Sequence, residues 1–542
     1  MTDSSPLPLV YFLEGLFVRS EMVYFQIRPS FQSACFGMAL VVLAGCASDP
    51  GKLSAAERSE AQERAVLQEK FVNRVTWGAS PSLAVSVASE GTSTFLEHQL
   101  HPARATLPVA VAQQIDALSI SRTPLSALVL SLEEERKNAD AIQDPEQKKT
   151  AQQALQQEMN TLGHEAQVRS ILLDLYSSNQ LQEQMTWFWM NHFNVHMYKS
   201  NIRVLVGDYE EHAIREHALG HFRDLLLATL KHPAMLRYLD NDQNAVGHLN
   251  ENYAREIMEL HTMGVTGGYS QRDVQELARV LTGVGVNFGP NEPKLPPKLE
   301  PLYVHQGLFE FNPARHDFGD KIVLGKQIKG RGWPEVEEVV TLLSREPATA
   351  RYISQELAVY LVSDDPPPAL VLRMAQTFSK TDGDIAQVLR TLFDSPEFTA
   401  SLGAKFKDPL HYVVSAVRLA YDTKAIRNAN PIVNWVSRMN EPLFAHETPD
   451  GYSMVETAWA GSGQMASRFE VAKAIGANSA GLFKIDGPPA VEDPGFPLLS
   501  NALYYAAIEK TLHASTRQAL EQANSPQEWN AFFLSSPEFM NR

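Results

Sequence analysis

A stretch of apolar, helix-like sequence between Gln184 and Gly283 carries an unusual density of polar and charged residues. It includes Trp187-Phe-Trp-Met-Asn-His-Phe-Asn194 and Asn250-Glu-Asn-Tyr-Ala-Arg-Glu-Ile-Met-Glu-Leu-His261. Burying His, Asn, Glu and Arg among aromatic and aliphatic side chains costs free energy unless these groups pair or bind a ligand. The stretch therefore predicts a helical core built around a polar functional site.

Composition and charge narrow the class of protein. The chain has 542 residues, of which 44% are hydrophobic and 20% charged, which is typical of a large globular fold rather than a disordered one. Its formal net charge is -16. Proteins that bind nucleic acid need a basic surface, so we expect no nucleic-acid partner.

Helical spacing and capping signals recur along most of the chain. Ser80-Pro81, Ser395-Pro396 and Ser536-Pro537 each place an N-cap serine before a helix-starting proline. Asp144-Pro145 divides the Glu-, Lys- and Gln-rich stretch 131–159 into a predicted exposed helical hairpin. The predicted fold class is mostly α, with one large multi-helix globular domain and a short β-hairpin insertion.

The β-hairpin is predicted from a break in the helical pattern. The stretch 288–301 contains five prolines and cannot be helical. Phe309-Glu-Phe311 and Lys321-Ile-Val-Leu324 then predict two short strands around the turn 315–320.

These signals divide the chain into six segments. They are a signal region (1–45), a lipoprotein tether (46–66), an N-terminal helical part with the polar stretch (67–285), a proline-rich loop with the β-hairpin (286–330), a C-terminal helical part (331–485), and a linker with a helical cap (486–542).

The N-terminal region predicts export and lipid anchoring. Phe36-Gly-Met-Ala-Leu-Val-Val-Leu43 is an apolar run of signal-peptide length, too short to span a bilayer comfortably. Leu43-Ala-Gly-Cys46 resembles a bacterial lipobox, so Cys46 is the expected lipidation site. Met22 with Arg28 suits a signal-peptide start better than Met1. We expect a mature protein held by its lipid in the cell envelope, at the outer membrane, facing the periplasm or the cell surface.

The polar stretch and four later segments together resemble the bacterial family called domain of unknown function 1800 (DUF1800). The matching segments are 267–283, 309–321, 393–398 and 448–452, and the similarity runs from about Phe71 to about Ile475. This resemblance implies export from the bacterial cytoplasm and a mostly helical fold, but no established substrate. Thr266 stands where relatives often have an acidic residue, and His196 lies outside the family pattern.

Metal ligands are one interpretation of the polar stretch. His192 and His196 are four residues apart, a spacing at which a helix presents two imidazoles to one divalent metal. Glu256 and His261 complete the candidate ligand set. The pair lacks the glutamate of His-Glu-x-x-His, so a thermolysin-type protease is not supported. No helix face carries Glu-x-x-His, so a ferritin-like di-iron centre is not supported either.

General acid–base chemistry is the other interpretation. The candidate catalytic residues are His192, Glu251, Glu256, His316 and Asp317. The corresponding function is a metal-assisted or acid–base hydrolase acting on an unidentified envelope substrate.

A structural role for the same residues is the alternative. The chain would then be a non-catalytic scaffold or binding lipoprotein with an unidentified partner protein. In it, Arg255 and Arg279 would pair with Glu251, Glu256 or Asp240 in a buried polar network.

Overall fold

The computed structural model describes residues 54–289, 291–484 and 494–542. The predicted signal region, the lipidation site Cys46 and residues 486–493 of the predicted linker lie outside these residues. Within the described ranges the chain forms 24 α-helices and five short strands, which confirms the mostly α fold class. None of the described helices is both long and apolar enough to cross a bilayer.

Thirteen of the helices in the described chain precede the first strand. They are α1 (Ala55–Val75), α2 (Pro81–Glu90), α3 (Thr92–Leu100), α4 (Val109–Ala117), α5 (Ser119–Arg122), α6 (Leu125–Ala141), α7 (Pro145–Tyr176), α8 (Gln180–His192), α9 (Ile202–Asp208), α10 (Phe222–Lys231), α11 (Pro233–Tyr238), α12 (Asn252–Glu256) and α13 (Gln271–Val280).

Eleven further helices form the second half of the described chain. They are α14 (Trp333–Ser344), α15 (Pro347–Leu361), α16 (Pro368–Lys380), α17 (Ile385–Phe393), α18 (Pro396–Ser401), α19 (Pro409–Tyr421), α20 (Asn430–Arg438), α21 (Ser462–Gly476), α22 (Ala502–Ala506), α23 (Ala514–Glu521) and α24 (Pro526–Leu534).

The first helix begins inside the range predicted as a tether. Ser54 forms a capping box, in which its hydroxyl accepts a hydrogen bond from the Glu57 backbone at 3.2 Å and its backbone donates to the Glu57 carboxylate at 2.7 Å. Such a box satisfies two backbone donors and favours helix from Ala55 onward. Residues 55–66 are therefore helical.

Two of the three predicted Ser-Pro caps are confirmed. Ser80 and Ser395 each cap a helix by accepting a backbone hydrogen bond three residues further on. Ser536 also accepts from the Phe539 backbone, at 3.2 Å, but residues 537–540 form a turn rather than the predicted helix. The turn ends at Asn541, which pairs with Phe406 in an antiparallel β-bridge, so the chain does not continue as a helix there.

The predicted helical hairpin is confirmed as α6 and α7. Asp144 caps α7 by accepting a hydrogen bond from the Gln147 backbone at 2.9 Å, with Pro145 in the first turn. Only residues 142–144 connect the two helices, so the chain reverses direction in a tight turn between them.

The predicted pairing of the strands is wrong. β1 (Val284–Val286), β2 (Val304–Gln306) and β3 (Phe309–Phe311) form one antiparallel sheet in the order β1-β3-β2. β4 (Lys321–Val323) and β5 (Lys326–Ile328) form a separate hairpin. Its two-residue turn, Leu324-Gly325, has positive φ at both positions, the geometry that matches the twist of paired strands.

The polar stretch contains two π-helical segments. One, Tyr209–Ile214, follows α9, and the other, Ile257–Thr262, continues α12. The helix-like sequence from Asn250 to His261 is therefore α-helical only over Asn252–Glu256 and π-helical from Ile257 onward. A π turn is wider than an α turn, changes which residues share a face, and is found frequently at functional sites.

The core reaches from the polar stretch to the last residue. Arg542 is 2% exposed, and its guanidinium donates to the Gln184 side chain at 2.9 Å, to the His411 ring at 2.6 Å and to the Tyr360 carbonyl at 3.0 Å. The segment after the linker is thus tied into the centre of the fold.

Candidate functional site

His192 is a buried, neutral side chain at the end of α8. Its Nε2 lies 3.1 Å from the carbonyl oxygen of His261, to which it donates. Burial lowers the pKa of His192 to about 4, and the hydrogen bond to His261 only partly opposes this. An imidazole in this state anchors two segments to each other.

His261 lies next to His192 and is fully buried. Its ring centroid is 5.0 Å from that of Phe193 and 6.2 Å from that of His192. Neither ring nitrogen has a hydrogen-bond partner among the described residues. Burial, and next the neighbouring His192, lowers the pKa of His261 well below its usual value, so the ring is neutral.

His196 does not share a helix face with His192. The α8 helix ends at His192, and the Phe193 carbonyl accepts a hydrogen bond from the Tyr209 hydroxyl at 2.9 Å instead of continuing the helix. The His196 ring lies 3.2 Å from the Ala445 carbonyl. The expectation of two imidazoles on one face is therefore wrong.

The two candidate glutamates differ in their surroundings. Glu251 accepts from the Gln271 side chain at 2.6 Å and pairs with Arg255 at 3.4 Å. Glu256 is half-buried and has no hydrogen bond or ion pair within the described chain. Burial, and next the Glu259 carboxylate, raises the pKa of Glu256. Only Glu256 keeps a free carboxylate.

The loop residues His316 and Asp317 belong to a different network. The His316 Nδ1 lies 2.7 Å from the Thr282 carbonyl, and its Nε2 bonds to Glu335, which also accepts from Lys321 at 2.8 Å. All three charged or polar side chains of this Glu335 network (His316, Lys321 and Glu335) are fully buried. Asp317 pairs with Arg279 at 2.8 Å.

The structure thus separates the predicted site into two places. His192 and His261 meet, whereas His316 and Asp317 bond to residues of α13, β4 and α14. Across residues 54–289, 291–484 and 494–542, no group of three or more His, Cys, Asp or Glu side chains could hold a metal ion. The four predicted ligands His192, His196, Glu256 and His261 do not assemble as one centre.

The asparagines of the polar stretch hold a loop in place. The Asn191 side chain accepts from the Tyr452 backbone at 2.6 Å and donates to the Tyr452 carbonyl at 2.9 Å. Asn194 donates to the Thr448 carbonyl at 2.7 Å. Gly451 has φ +71°, and a Cβ there would lie 2.3 Å from the Asn191 carbonyl. The Asn191 and Asn194 side chains therefore hold the segment 448–452 against α8 through hydrogen bonds to its backbone. We call this contact the latch.

A small cavity of about 30 Å³ lies beside α8 and is lined by buried acids. They include Asp174, Glu183, Glu210 and Glu441. Burial raises the pKa of Glu210 to about 7, and Arg215 lies between Glu183 and Glu210. A cavity of this size holds no more than a water molecule or two.

A larger open cleft of about 440 Å³ collects different side chains. We call it the histidine cleft and define it by Asp208, His212, His217, Lys231 and His232. Ser126, Gln306 and Phe309 complete the polar and aromatic lining. Its volume is in the range of ligand-binding pockets.

Asp208 holds two of the histidines. His232 donates from Nε2 to Asp208 at 3.0 Å, because its Nδ1 accepts from the Ala234 backbone at 3.1 Å. The His212 Nε2 lies 3.7 Å from the other Asp208 oxygen. Burial works against ionisation of Asp208, but the hydrogen bond from His232 and the charges of both histidines outweigh it and lower its pKa.

The remaining two groups face the cleft with fewer partners. His217 is half-buried, and its ring has no hydrogen bond or ion pair within the described part of the chain. Lys231 donates to the Gln306 side chain at 2.6 Å and lies 5.4 Å from the Phe309 ring centroid. Burial lowers the pKa of Lys231, against the opposing charge of Glu337.

The histidine cleft was not predicted from the sequence. Asp208 and His212 stand four residues apart, which was a usable signal, but the π-helical segment 209–214 that carries His212 could not be foreseen. His217 and Lys231 belong to other elements, and only tertiary packing brings them there.

The sequence model of a family described as "Protein of unknown function (DUF1800)" matches residues 70–541. The chain belongs to the DUF1800 family. The match extends beyond Ile475, where the resemblance was expected to end, and it includes α8, the histidine cleft and the latch at Tyr452. No curated protein and no solved structure matches this DUF1800 protein.

Proposed function

We propose that this DUF1800 protein is an exported, lipid-anchored acid–base hydrolase of the cell envelope, with the histidine cleft as its active site. The observation that carries the proposal is the unpaired His217 ring, which lies with the partly desolvated Lys231 in an open cavity of about 440 Å³. A ligand-sized cavity with convergent polar groups and a perturbed pKa is the standard physical signature of an active site.

The side chains of the cleft suit hydrolysis of an acyl bond, an ester or an amide. His217 accepts a proton from the water whose oxygen forms the new bond to the carbonyl carbon. The Lys231 ammonium stabilises the negative charge that develops on the carbonyl oxygen. The His217 imidazolium then gives its proton to the leaving oxygen or nitrogen as the acyl bond breaks. The Asp208 carboxylate accepts a hydrogen bond from His232 and so fixes the part of the cleft lining that these two residues form.

The envelope location rests on the sequence motif. A lipid on Cys46 would fix the chain to a membrane, and the net charge of -16 gives no broad attraction to anionic lipid surfaces. Mass spectrometry of the mature N-terminus should find a lipidated Cys46, and an unmodified end would contradict the anchor without touching the catalytic proposal.

One observation favours the non-catalytic alternative. His192 and His316, both candidate catalytic residues, are buried and hydrogen-bonded, and neither lines the histidine cleft. If the whole polar stretch is structural, the chain is a binding lipoprotein, and the histidine cleft should bind a ligand without turning it over.

Hydrolysis of p-nitrophenyl acetate and of acylated envelope polysaccharide by the purified chain tests the proposal. His217→Ala should lower kcat by about 10²–10⁴-fold, and Lys231→Met by about 10²–10³-fold. His101→Ala and Lys380→Met are matched controls, since both side chains are exposed outside the cleft. If all four variants keep the same rate, the histidine cleft is not the active site.

A further inference from the structure

A second, larger depression lies between the α6–α7 hairpin and the body of the fold. Its volume is about 980 Å³, and its walls come from α6, α7 and the start of α9, with Arg237 and Phe288 on the far side. We call it the amide groove, because the side chains that α7 contributes at its exposed surface are mainly glutamines and an asparagine. They are Gln152, Gln153, Gln156, Gln157 and Asn160.

The amide groove and the histidine cleft share two walls. On α6, Ser126 lines the cleft, and residues from Val129 to Asp140 line the groove. On the second wall, Val204 lines the groove, and Asp208 lines the cleft one helical turn later. A helix rises about 1.5 Å per residue, so the distance along α6 from Ser126 to Asp140 is about 21 Å. The two cavities therefore follow one another along a path long enough for an extended polymer.

Amide side chains make up much of the exposed lining of the groove, beside charged side chains that are mostly paired. Among the aliphatic lining residues, Val129, Leu132 and Met159 are 1%, 7% and 7% exposed, so they offer a ligand almost no surface. Amide side chains both donate and accept hydrogen bonds, as sugar hydroxyl groups do. Gln153 and Gln157 have no hydrogen-bond partner for their side chains in the described chain, so both amides are available.

Two further features point to the same ligand chemistry. Phe288 is partly exposed at the groove, with the Arg237 guanidinium 5.4 Å from its ring centroid, and presents an aromatic surface. The Asn201 side-chain oxygen is a buried acceptor that lacks a donor among the described residues. An aromatic face beside free acceptors and amides suits a sugar ring, which has an apolar face and hydroxyl donors at its edge.

Charge in the groove is almost fully compensated. Arg136 pairs with Glu133 at 2.9 Å and with Asp140 at 3.2 Å, and Arg237 pairs with Asp242 at 3.6 Å. Lys149 alone has no acidic partner in the described ranges. A strongly charged polymer would find no matching field here. An extended peptide would find no strand edge, because the hairpin and α9 walls are helical.

We infer that the amide groove binds a neutral glycan strand and leads it to the histidine cleft, where acyl groups on the strand are hydrolysed. The binding half of this inference stands on the groove alone, and the hydrolytic half rests on the proposed function. The substrate class is therefore an uncharged polysaccharide that carries ester- or amide-linked acyl groups.

Calorimetric titration of the full chain with a hexamer of β-linked N-acetylglucosamine tests the binding half. Wild type should bind the hexamer, and Phe288→Ala should weaken binding about tenfold, as expected for loss of one aromatic contact. The double variant Gln153→Ala/Gln157→Ala should weaken it as well. Phe469→Ala and Gln518→Ala are matched controls on exposed surface outside the groove and should bind like wild type.

The outcomes separate the two halves. Wild type that binds the hexamer and releases acetate, with His217→Ala that binds equally well but releases none, supports both halves. Wild type that binds the hexamer without releasing acetate keeps the binding half and overturns the hydrolytic half, while the p-nitrophenyl acetate assay tests the proposed function separately. Equal affinity of Phe288→Ala and wild type overturns the glycan groove. So does binding of a neutral extended hexapeptide in place of the hexamer.

Discussion

The histidine cleft and the Glu335 network contain the same kinds of side chain, but these side chains have different surroundings. In the Glu335 network, a histidine and a lysine both reach one carboxylate, and all three side chains are fully buried. In the cleft, Lys231 and His217 face an open cavity, and the carboxylate of Asp208 is engaged with other histidines. Whether their polar groups are saturated by neighbours or left facing a cavity thus distinguishes the two regions, and residue type does not.

The sharpest way to break this comparison is to remove one histidine from each region. His217→Ala should lower acyl hydrolysis by about 10²–10⁴-fold with little change in thermal stability, since its ring has no partner to lose. His316→Ala should lower thermal stability and leave acyl hydrolysis near the wild-type rate, because it removes the ring that bonds to the Glu335 carboxylate and the Thr282 carbonyl. The hydrolysis rate and the melting temperature of both variants test this contrast. A large loss of stability in His217→Ala would contradict the assignment of His217 to an open cleft.

Removing the shared carboxylate of the Glu335 network should have the largest effect on folding. Glu335→Ala leaves Lys321 buried without a counter-charge, and breaking a buried pair in this way costs about 3–5 kcal/mol. Urea unfolding followed by circular dichroism measures the free energy of unfolding. Glu134→Ala, an exposed and unpaired glutamate on α6, is the control and should stay near wild type.

Acidification should weaken the fold through His192. Its folded pKa of about 4 lies below the value of 6.5 for an unperturbed histidine, so the unfolded chain takes up the proton first as the pH falls. The contribution is complete above about pH 6.5 and is lost as the pH falls through about 4, a change of about 3 kcal/mol. Unfolding at pH 7 and pH 4 should show a smaller difference for His192→Gln than for wild type. An identical difference would mean that the pKa of His192 is the same in the folded and the unfolded chain.

The smallest expected effect concerns the latch between α8 and the segment 448–452. Asn191→Ala removes two hydrogen bonds to the Tyr452 backbone and should cost about 1–3 kcal/mol. Asn138→Ala on the exposed side of α6 is the control. Faster amide exchange at Tyr452 in the first variant alone would confirm the latch, and unchanged exchange would show that other contacts hold the loop.

The fold could be predicted further than the site could. Caps at Ser80 and Ser395 act within three residues of themselves, and both were confirmed where the sequence placed them, as was the break between two helices at Asp144-Pro145. The strand signals at Phe309 and Lys321 were also placed correctly, but their partners were not. Strand pairing depends on residues far along the chain, which local propensity does not encode.

The candidate site shows the same limit more strongly. Glu256 was predicted and does keep a free carboxylate, whereas Glu251, predicted on equal grounds, is paired with Gln271 and Arg255. His192 and His261 do meet, but as buried neutral rings. Sequence spacing identifies residues that are costly to bury, and it does not identify the partners that satisfy them.

The sequence by itself determined the helical class, its principal caps, the α6–α7 hairpin and the family to which the chain belongs, because periodicity and capping are local and family motifs are linear. Tertiary structure alone decided that His217 and Lys231 share a cavity with Asp208, while His316 bonds to Glu335. The physical reason is that desolvation and hydrogen-bond saturation depend on which groups packing brings within a few ångströms of one another. The same imidazole is inert in a filled network and available in an open cleft.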